Sequence, residues 1–363
     1  MSGRDLNVLV VGYGLAGRYF HAPFIRTTPG MAITGVVTSN AERAEEARTD
    51  LPDATVLPTL EDALSGAYDL AVVAGANVTH VPYTQALLEA GMHVVVDKPV
   101  AANAEQAMAL AELARKRGLL VVPFQNRRWD SDFRTALAVA ESGTLGLIHR
   151  FESRISRMRV IPKPGWRGSP DPADLGGMLY DLGSHVIDQA LMLMGPVVGV
   201  SASVRSVRPA DPTDDDVVVL LTHDSGGLSV LTTSQVAGFA EPRMTLLGTR
   251  GALRIDHYDT QEDVLRTGAL PGADWGHERA GSEAILRTFS DDSTMTEQRV
   301  PLEPGAWPAF YAQVAAAIRG EAPAPVSIDD VIESLRVLDA ARLAGEMVGT
   351  VRLDPPAGHA GSR

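Results

Sequence analysis

Asp181, His185 and Asp188 stand at i, i+4 and i+7, a spacing that places two carboxylates and an imidazole on one face of a helix. A carboxylate one turn from an imidazole orients the ring and raises its basicity, which suits proton transfer at neutral pH. Leu182, Val186 and Leu193 form an apolar stripe on another face, so an incidental Asp–His pair on a half-exposed helix fits the same pattern. Gly183 inside this helix costs about 1 kcal/mol relative to Ala, a sign that another group approaches closely there. Lys98 ends the run Val94-Val95-Val96-Asp97-Lys98-Pro99. That is the carboxyl end of an expected strand, beside the crevice where ligands of such sheets bind. A solvated surface lysine fits the position equally well.

The turn Gly12-Tyr13-Gly14-Leu15-Ala16-Gly17 follows the apolar run Leu6–Val11 and precedes a helix expected over 15–20. In that context Gly12 permits the tight turn and Gly14 lets backbone approach a pyrophosphate, while Gly17 lets helix and strand pack closely. Leu15 and Ala16 open the helix, whose free amides and partial positive charge favour phosphate. An acidic residue about 20 positions beyond such glycines grips the ribose 2′-hydroxyl of NAD. Here the second strand ends Val36-Val37-Thr38-Ser39-Asn40, with Arg43 one turn on. Hydroxyl and amide groups beside a guanidinium suit a 2′-phosphate, which makes NADP the expected cofactor. Glu42 is close enough to keep NAD open.

Strands expected over 6–11, 33–38, 70–74, 94–96 and 119–123 alternate with helical patterns over 41–49, 82–90 and 104–117. Gly91 and Gly118 fall just past two of these helices, where a left-handed cap is wanted. Alternation of this kind implies parallel strands with right-handed crossovers, a doubly wound α/β Rossmann domain over residues 1–124. Beyond 145 the pattern changes to successive strands over 146–156, 197–207, 217–222, 228–236, 244–247 and 253–257, with turn signals such as Gly226-Gly227 between them. Few helices intervene, so the sheet of this α+β domain, residues 125–355, is expected to be open and mainly antiparallel. Residues 259–300 read as polar and irregular. Helices are expected over 309–318 and 328–345, with the latter part of the chain free to pack back on the first domain and a loose tail over 356–363.

A chain of 363 residues accommodates two such domains. Its formal charge of −13 argues against a general affinity for nucleic acid or an anionic membrane, since both need a basic surface. With no cysteine there is no disulfide, thiolate nucleophile or Cys-ligated zinc, and the nine histidines show no ligand-spaced cluster, so no metal is expected. The N-terminus lacks the pattern of a signal peptide, and no apolar run approaches the ~18–20 residues of a membrane span. The expected setting is cytoplasmic.

Together these features resemble the Gfo/Idh/MocA family of dehydrogenases over nearly the whole chain. The resemblance is carried, in order, by Val11 to Gly17 followed by Phe20-His21-Ala22-Pro23, by Asn77-Val78-Thr79-His80, by Asp97-Lys98-Pro99, by Gln125-Asn126-Arg127-Arg128 and by Tyr180-Asp181-Leu182-Gly183-Ser184-His185. The Asp-x-Gly-x-His pattern at its end is far more specific than the glycines. Several stretches look most like a branch containing NADP-dependent scyllo-inositol dehydrogenase-like proteins. The resemblance implies that Lys98 sits near the nicotinamide and the reacting carbon, that Asp181 and His185 line the substrate site with His185 as acid/base, and that Asn77 and His80 belong to the cofactor site. It also implies an open sheet whose outer face forms a homo-oligomer interface, in a dimer or tetramer. Two positions depart from the family: Asp97 stands for Glu, one methylene shorter, and Ala76 stands for a proline.

The reaction so implied is hydride transfer between a nicotinamide and a carbon bearing a secondary hydroxyl on a sugar, inositol or related polyol. His185 would accept the hydroxyl proton, Asp181 would orient substrate or imidazole, and Lys98 would stabilise the developing alkoxide. Arg127, Trp166 and Arg167 complete the expected substrate contacts, although Trp166 suits simple packing as well. Two alternatives belong to the same family: an NAD-dependent glycoside hydrolase and a non-enzymatic NAD(P)-sensing regulator. Cofactor retention with glycoside cleavage and no net reduced nicotinamide would select the first. The presence of Lys98, Asp181 and His185 together argues against the second.

Overall fold

The computed structural model describes residues 4–161, 168–169, 174–208 and 213–354. They fall into two compact units, the first of Met1–Asn126, Thr260–Trp275 and Ala306–Ile332, the second of Arg127–Asp259, Gly276–Gly305 and Glu333–Arg363. The expected tail at 356–363, Trp166 and Arg167 lie outside the described residues.

The first unit opens with β1 (Leu6–Val11), a π-helical turn over Ala16–His21 running into α1 (Ala22–Thr27), β2 (Met31–Val37), α2 (Ala41–Asp50) and β3 (Thr55–Leu57). It continues with β4 (Leu70–Val73), α3 (Asn77–Glu89), β5 (His93–Val96), α4 (Ala104–Arg117) and β6 (Val121–Pro123). The six strands are parallel in the order β3-β2-β1-β4-β5-β6. β1 and β4 bury nearly every side chain, as strands covered on both faces must. Between β1 and β4 the strand order reverses, which leaves a crevice at the carboxyl ends.

Local chemistry sets the helix ends. Asn103 Oδ1 accepts the Gln106 amide at 3.0 Å before α4, and Gly118 terminates it at φ +68°. α3 differs from the sequence expectation: it starts at Asn77 and runs through Pro82, forgoing one backbone hydrogen bond, instead of beginning at that proline.

The chain then builds the second unit with α5 (Ser131–Glu141), β7 (Ile148–Ser156), a π-helical turn over Leu179–Gly183 leading into α6 (Ser184–Met194), β8 (Val197–Arg205), β9 (Asp216–His223), β10 (Leu228–Ser234), β11 (Met244–Gly248) and β12 (Gly251–Ile255). It returns to the first unit for α7 (Gln261–Arg266) and to the second for β13 (Glu283–Phe289) and β14 (Met295–Pro301). α8 (Pro308–Ile318) belongs to the first unit, α9 (Ile328–Met347) follows, and β15 (Thr350–Arg352) ends the second. Residues 259–300, read as irregular, therefore contain a helix and a strand pair.

The nine strands of the second unit run β14-β13-β12-β11-β7-β10-β9-β8-β15, antiparallel except for the β7–β10 pair. Phe151, Leu221, Leu231, Leu246 and Leu253 of the sheet share a core with Phe133 of α5, Ile187 of α6 and Leu338 of α9. One face of the sheet is thus covered by helices, and this mixed layer holds the Asp-x-Gly-x-His segment.

Candidate functional site

The glycine turn is a cradle that side chains would fill. Gly12 adopts φ +98°, and a Cβ there would lie 2.9 Å from the backbone of Ala74 and Gly75. At Gly17 a Cβ would come within 2.0 Å of the Gly12 carbonyl oxygen. The strand–turn–helix joint therefore closes only with glycine at both positions. Leu15 and Ala16 begin the helical turn directly after it, and the Arg18 amide already donates to Gly14 O at 2.9 Å. A bare backbone cradle at a helix start fits a pyrophosphate.

At the tip of β2, Ser39 and Asn40 are exposed and Thr38 is half-buried. Asn40 Oδ1 accepts the Arg43 amide at 3.0 Å, so Asn40 caps α2. The Arg43 guanidinium lies 3.4 Å from where a Cβ of Gly14 would be, which brings the two predicted cofactor residues together. Glu42, one residue earlier, points its exposed side chain from the first turn of the same helix.

The Asp97-Lys98-Pro99 loop follows β5 and is held by hydrogen bonds at Asp97 and Pro99. Asp97 Oδ1 accepts the Lys98 amide at 2.7 Å, the Lys98–Pro99 bond is cis, and Pro99 O bonds His80 Nδ1 at 2.7 Å. His80 is buried on α3, so its imidazole supports the loop. Burial pushes the His80 ring below its ordinary value, against the opposing pull of Asp97 and the Pro99 bond. Asn77, in the first turn of α3, is buried too.

His21 supplies a contact that the sequence reading assigned to nothing. Its ring is fully buried, with Nδ1 2.6 Å from Tyr311 Oη on α8 and Nε2 3.8 Å from Asp97 Oδ2. Phe124 lies against the ring at 4.3 Å between centroids. Burial alone would raise the Asp97 carboxyl, yet the approach of His21 and the charges of His80 and Lys98 outweigh it and hold it below the usual carboxylate range. No local pattern joins His21 to Tyr311 across 290 residues.

In the second unit, Asp181 sits half-buried on the π-helical turn and His185 is buried on α6. The turn is held at its start by Asp214, whose carbonyl accepts the Met178 amide at 3.0 Å and whose Oδ2 accepts the Leu179 amide at 2.7 Å. A Cβ at Gly183 would press on Leu179 Cδ1 at 3.2 Å, the close approach that the glycine implied. Asp188, on the same face by spacing, is committed elsewhere: it takes Arg128 Nε at 2.8 Å and Nη2 at 2.7 Å, a buried bidentate pair. Arg127 pairs with Asp130 at 3.0 Å, and its carbonyl accepts the Gln189 amide at 3.2 Å.

Among the described residues no cluster of three or more acidic or histidine side chains could hold a metal ion. No helix there is long and apolar enough to cross a membrane. A cavity of about 170 Å³ in the first unit, lined by Tyr13, Arg18, Arg26, Asp50 and Leu270 among others, includes none of the predicted site residues.

Residues 6–124 match the family model of oxidoreductases with an NAD-binding Rossmann fold, and residues 133–254 match that of the GFO/IDH/MocA C-terminal domain. The NADP(+)-dependent scyllo-inositol 2-dehydrogenase IolW of Bacillus subtilis is 33% identical over 352 residues, 96% of each chain. D-glucoside 3-dehydrogenase of Escherichia coli is 29% identical over 54% of this chain and 56% of its own. The solved structure of yvaA from Bacillus subtilis superposes with a TM-score of 0.90 at 31% identity, covering 96% of this chain and 100% of that one.

Proposed function

The chain belongs to the GFO/IDH/MocA family of oxidoreductases, and on that premise we propose that it interconverts a secondary alcohol and a ketone on an inositol, sugar or related polyol, with NADP as its cofactor. The observation that carries this reading is the Asp97-Lys98-Pro99 loop, fixed through Asp97 Oδ1 and Pro99 O at the carboxyl end of β5. Loops at that end of a doubly wound sheet face the ligand crevice. When bound, the nicotinamide supplies or takes up the hydride. Gly12, Gly14 and Gly17 with the amides of Leu15 and Ala16 would hold the pyrophosphate. Thr38, Ser39 and Arg43 would receive the adenosine ribose and its 2′-phosphate, with Asn40 shaping the helix start.

The chain's own residues then manage the proton and the charge. Lys98 stabilises negative charge as it develops on the substrate oxygen. His185 takes the hydroxyl proton in the oxidative direction and returns it in the reductive one. Asp181 orients substrate or imidazole. Arg127, paired with Asp130, would be a further substrate contact. The cellular setting we propose is the cytoplasm, with the chain working as a homo-oligomer.

A panel of inositols, aldoses, ketoses and sugar derivatives, assayed in both directions with both nicotinamide cofactors, tests the reading. Turnover of at least one polyol with NADP preferred is expected. Cleavage of glycosides without net reduction, or the absence of any redox turnover across the panel, would overturn it.

A further inference from the structure

We propose that His21 is a positioning residue for Lys98, acting through Asp97, with Tyr311 fixing the tautomer that lets it do so. The proposal rests on the reading of Lys98 as the charge-stabilising group. It comes from three contacts in one chain of atoms, buried at His21 and Tyr311 and half-buried at Asp97. Tyr311 Oη lies 2.6 Å from His21 Nδ1, His21 Nε2 faces Asp97 Oδ2 at 3.8 Å, and Asp97 Oδ1 accepts the Lys98 amide at 2.7 Å. The two carboxylate oxygens therefore divide the contacts, one holding the backbone of the lysine and the other meeting the imidazole.

The direction of the hydrogen bonds follows from Tyr311. Its side chain is fully buried, and burial together with the charge of Asp97 keeps the phenol protonated far above its ordinary range. A phenol that keeps its proton donates to Nδ1, so the ring proton is left on Nε2, aimed at Asp97. That nitrogen is buried and has no hydrogen-bond partner within 3.5 Å among the described residues, so Asp97 is the acceptor towards which it is poised. On the other side His80 bonds Pro99 O, so two imidazoles on different helical elements brace the loop on either side of Lys98. Phe124 and Phe310 pack around His21 and Tyr311, both of which are fully buried. A lysine that must present its ammonium within a few tenths of an ångström of a reacting oxygen needs such bracing, because small misplacements are costly in rate.

The chain has only three lysines, Lys98, Lys116 and Lys163, which makes the test clean. Reductive ¹³C-methylation of the full chain labels them, and Lys98→Arg identifies the Lys98 signal. His21→Leu is expected to shift or split that signal, and His21→Gln, which keeps a donor near the Nε2 position, is expected to restore it. In histidine-¹⁵N protein the His21 ring is expected to carry its proton on Nε2, and Tyr311→Phe to convert it to a mixture of tautomers. Should His21→Leu fail to fold, Tyr311→Phe removes a single oxygen and its effect on the Lys98 signal decides. A Lys98 signal indifferent to His21→Leu or Tyr311→Phe, or a His21 tautomer unchanged by Tyr311→Phe, overturns the proposal. Lys98→Met, assayed in parallel with NADP and scyllo-inositol, separates the two readings. Full turnover there removes Lys98 from the reaction but leaves the relay standing, whereas a silent NMR result with an inactive Lys98→Met does the reverse.

Discussion

His185 and Arg43 carry the two chemical claims, proton transfer and cofactor choice, and each is testable alone. His185→Asn keeps a polar side chain in a buried position but removes the proposed proton acceptor. Turnover is expected to fall by about 10²–10⁴-fold, with cofactor affinity measured by fluorescence titration left within about twofold. Undiminished turnover would take His185 out of the reaction. Arg43 is exposed and lies against the Gly14 position, where on the proposed reading its charge would meet a 2′-phosphate. A charge-assisted contact of this kind is worth up to ~3 kcal/mol, but solvent screening reduces it at an exposed site. Arg43→Ala should therefore raise KM for NADP about 10-fold and leave KM for NAD nearly unchanged, a shift that steady-state kinetics with both cofactors would register. The residues were legible in unequal measure. Gly12 and Gly17 announced close approaches of backbone and Gly183 that of the Leu179 side chain, whereas Asp188 shares by spacing the face of Asp181 and His185 and is taken up by Arg128. Spacing shows which side chains share a face; it does not show which of them another segment has already claimed.

Among the elements, the joint of β1, the glycine turn and the π-helical turn makes the sharpest prediction. A single added methyl at Gly17 points at the Gly12 carbonyl at 2.0 Å, a contact no rotamer can relieve. Gly17→Ala must push the helix off the strand, so both a lower unfolding temperature and loss of NADP binding are expected, read by thermal melts and titration. Binding retained at full affinity would show that the helix start is not the phosphate site. Parallel and antiparallel halves were readable because their patterns differ: β1 and β4 are buried at nearly every position, while β9 alternates. β14 was not readable, since Met-Thr-Glu-Gln-Arg-Val-Pro at the sheet edge is almost wholly exposed and carries no alternation. β3 and β15 have three residues each, too short for any period to register. α5 does carry Phe133, Ala136 and Val139 at helical spacing, but it falls where the pattern changes from one unit to the next. The return of α7 and α8 to the first unit left no local trace at all, because that membership is written in contacts such as His21–Tyr311.

Over the whole molecule, the same burial that holds the site also sets how stability responds to acid. His80 and His93 in the first unit and His223 in the second all sit below their ordinary value, each chiefly because burial disfavours the charged ring. In the unfolded chain these rings titrate near 6.5. Between that value and their lower folded values the unfolded state binds more protons, so stability is full above about pH 6.5 and declines as pH falls through the folded values. A separate loss belongs to Asp97 and Asp215, whose carboxyls the fold holds low despite burial; their contribution disappears only below the unfolded value near 3.8. One effect opposes both. A formal charge of −13 shrinks as acid is added, and the chain's self-repulsion falls with it. Spread over 363 residues and screened beyond about 8 Å at physiological salt, that relief is diffuse, whereas each buried imidazole resists its proton locally. The local effect should win. The unfolding midpoint is expected to drop steadily from pH 7 to pH 5 in 0.15 M salt, in both transitions if the two units melt apart. His223, bonded at 2.7 Å to Gly195 O and to Ser229 Oγ, provides the control. His223→Gln loses stability at pH 8 but should show a flatter pH slope for the second unit. A slope as steep as the parent's would assign the acid sensitivity to other groups.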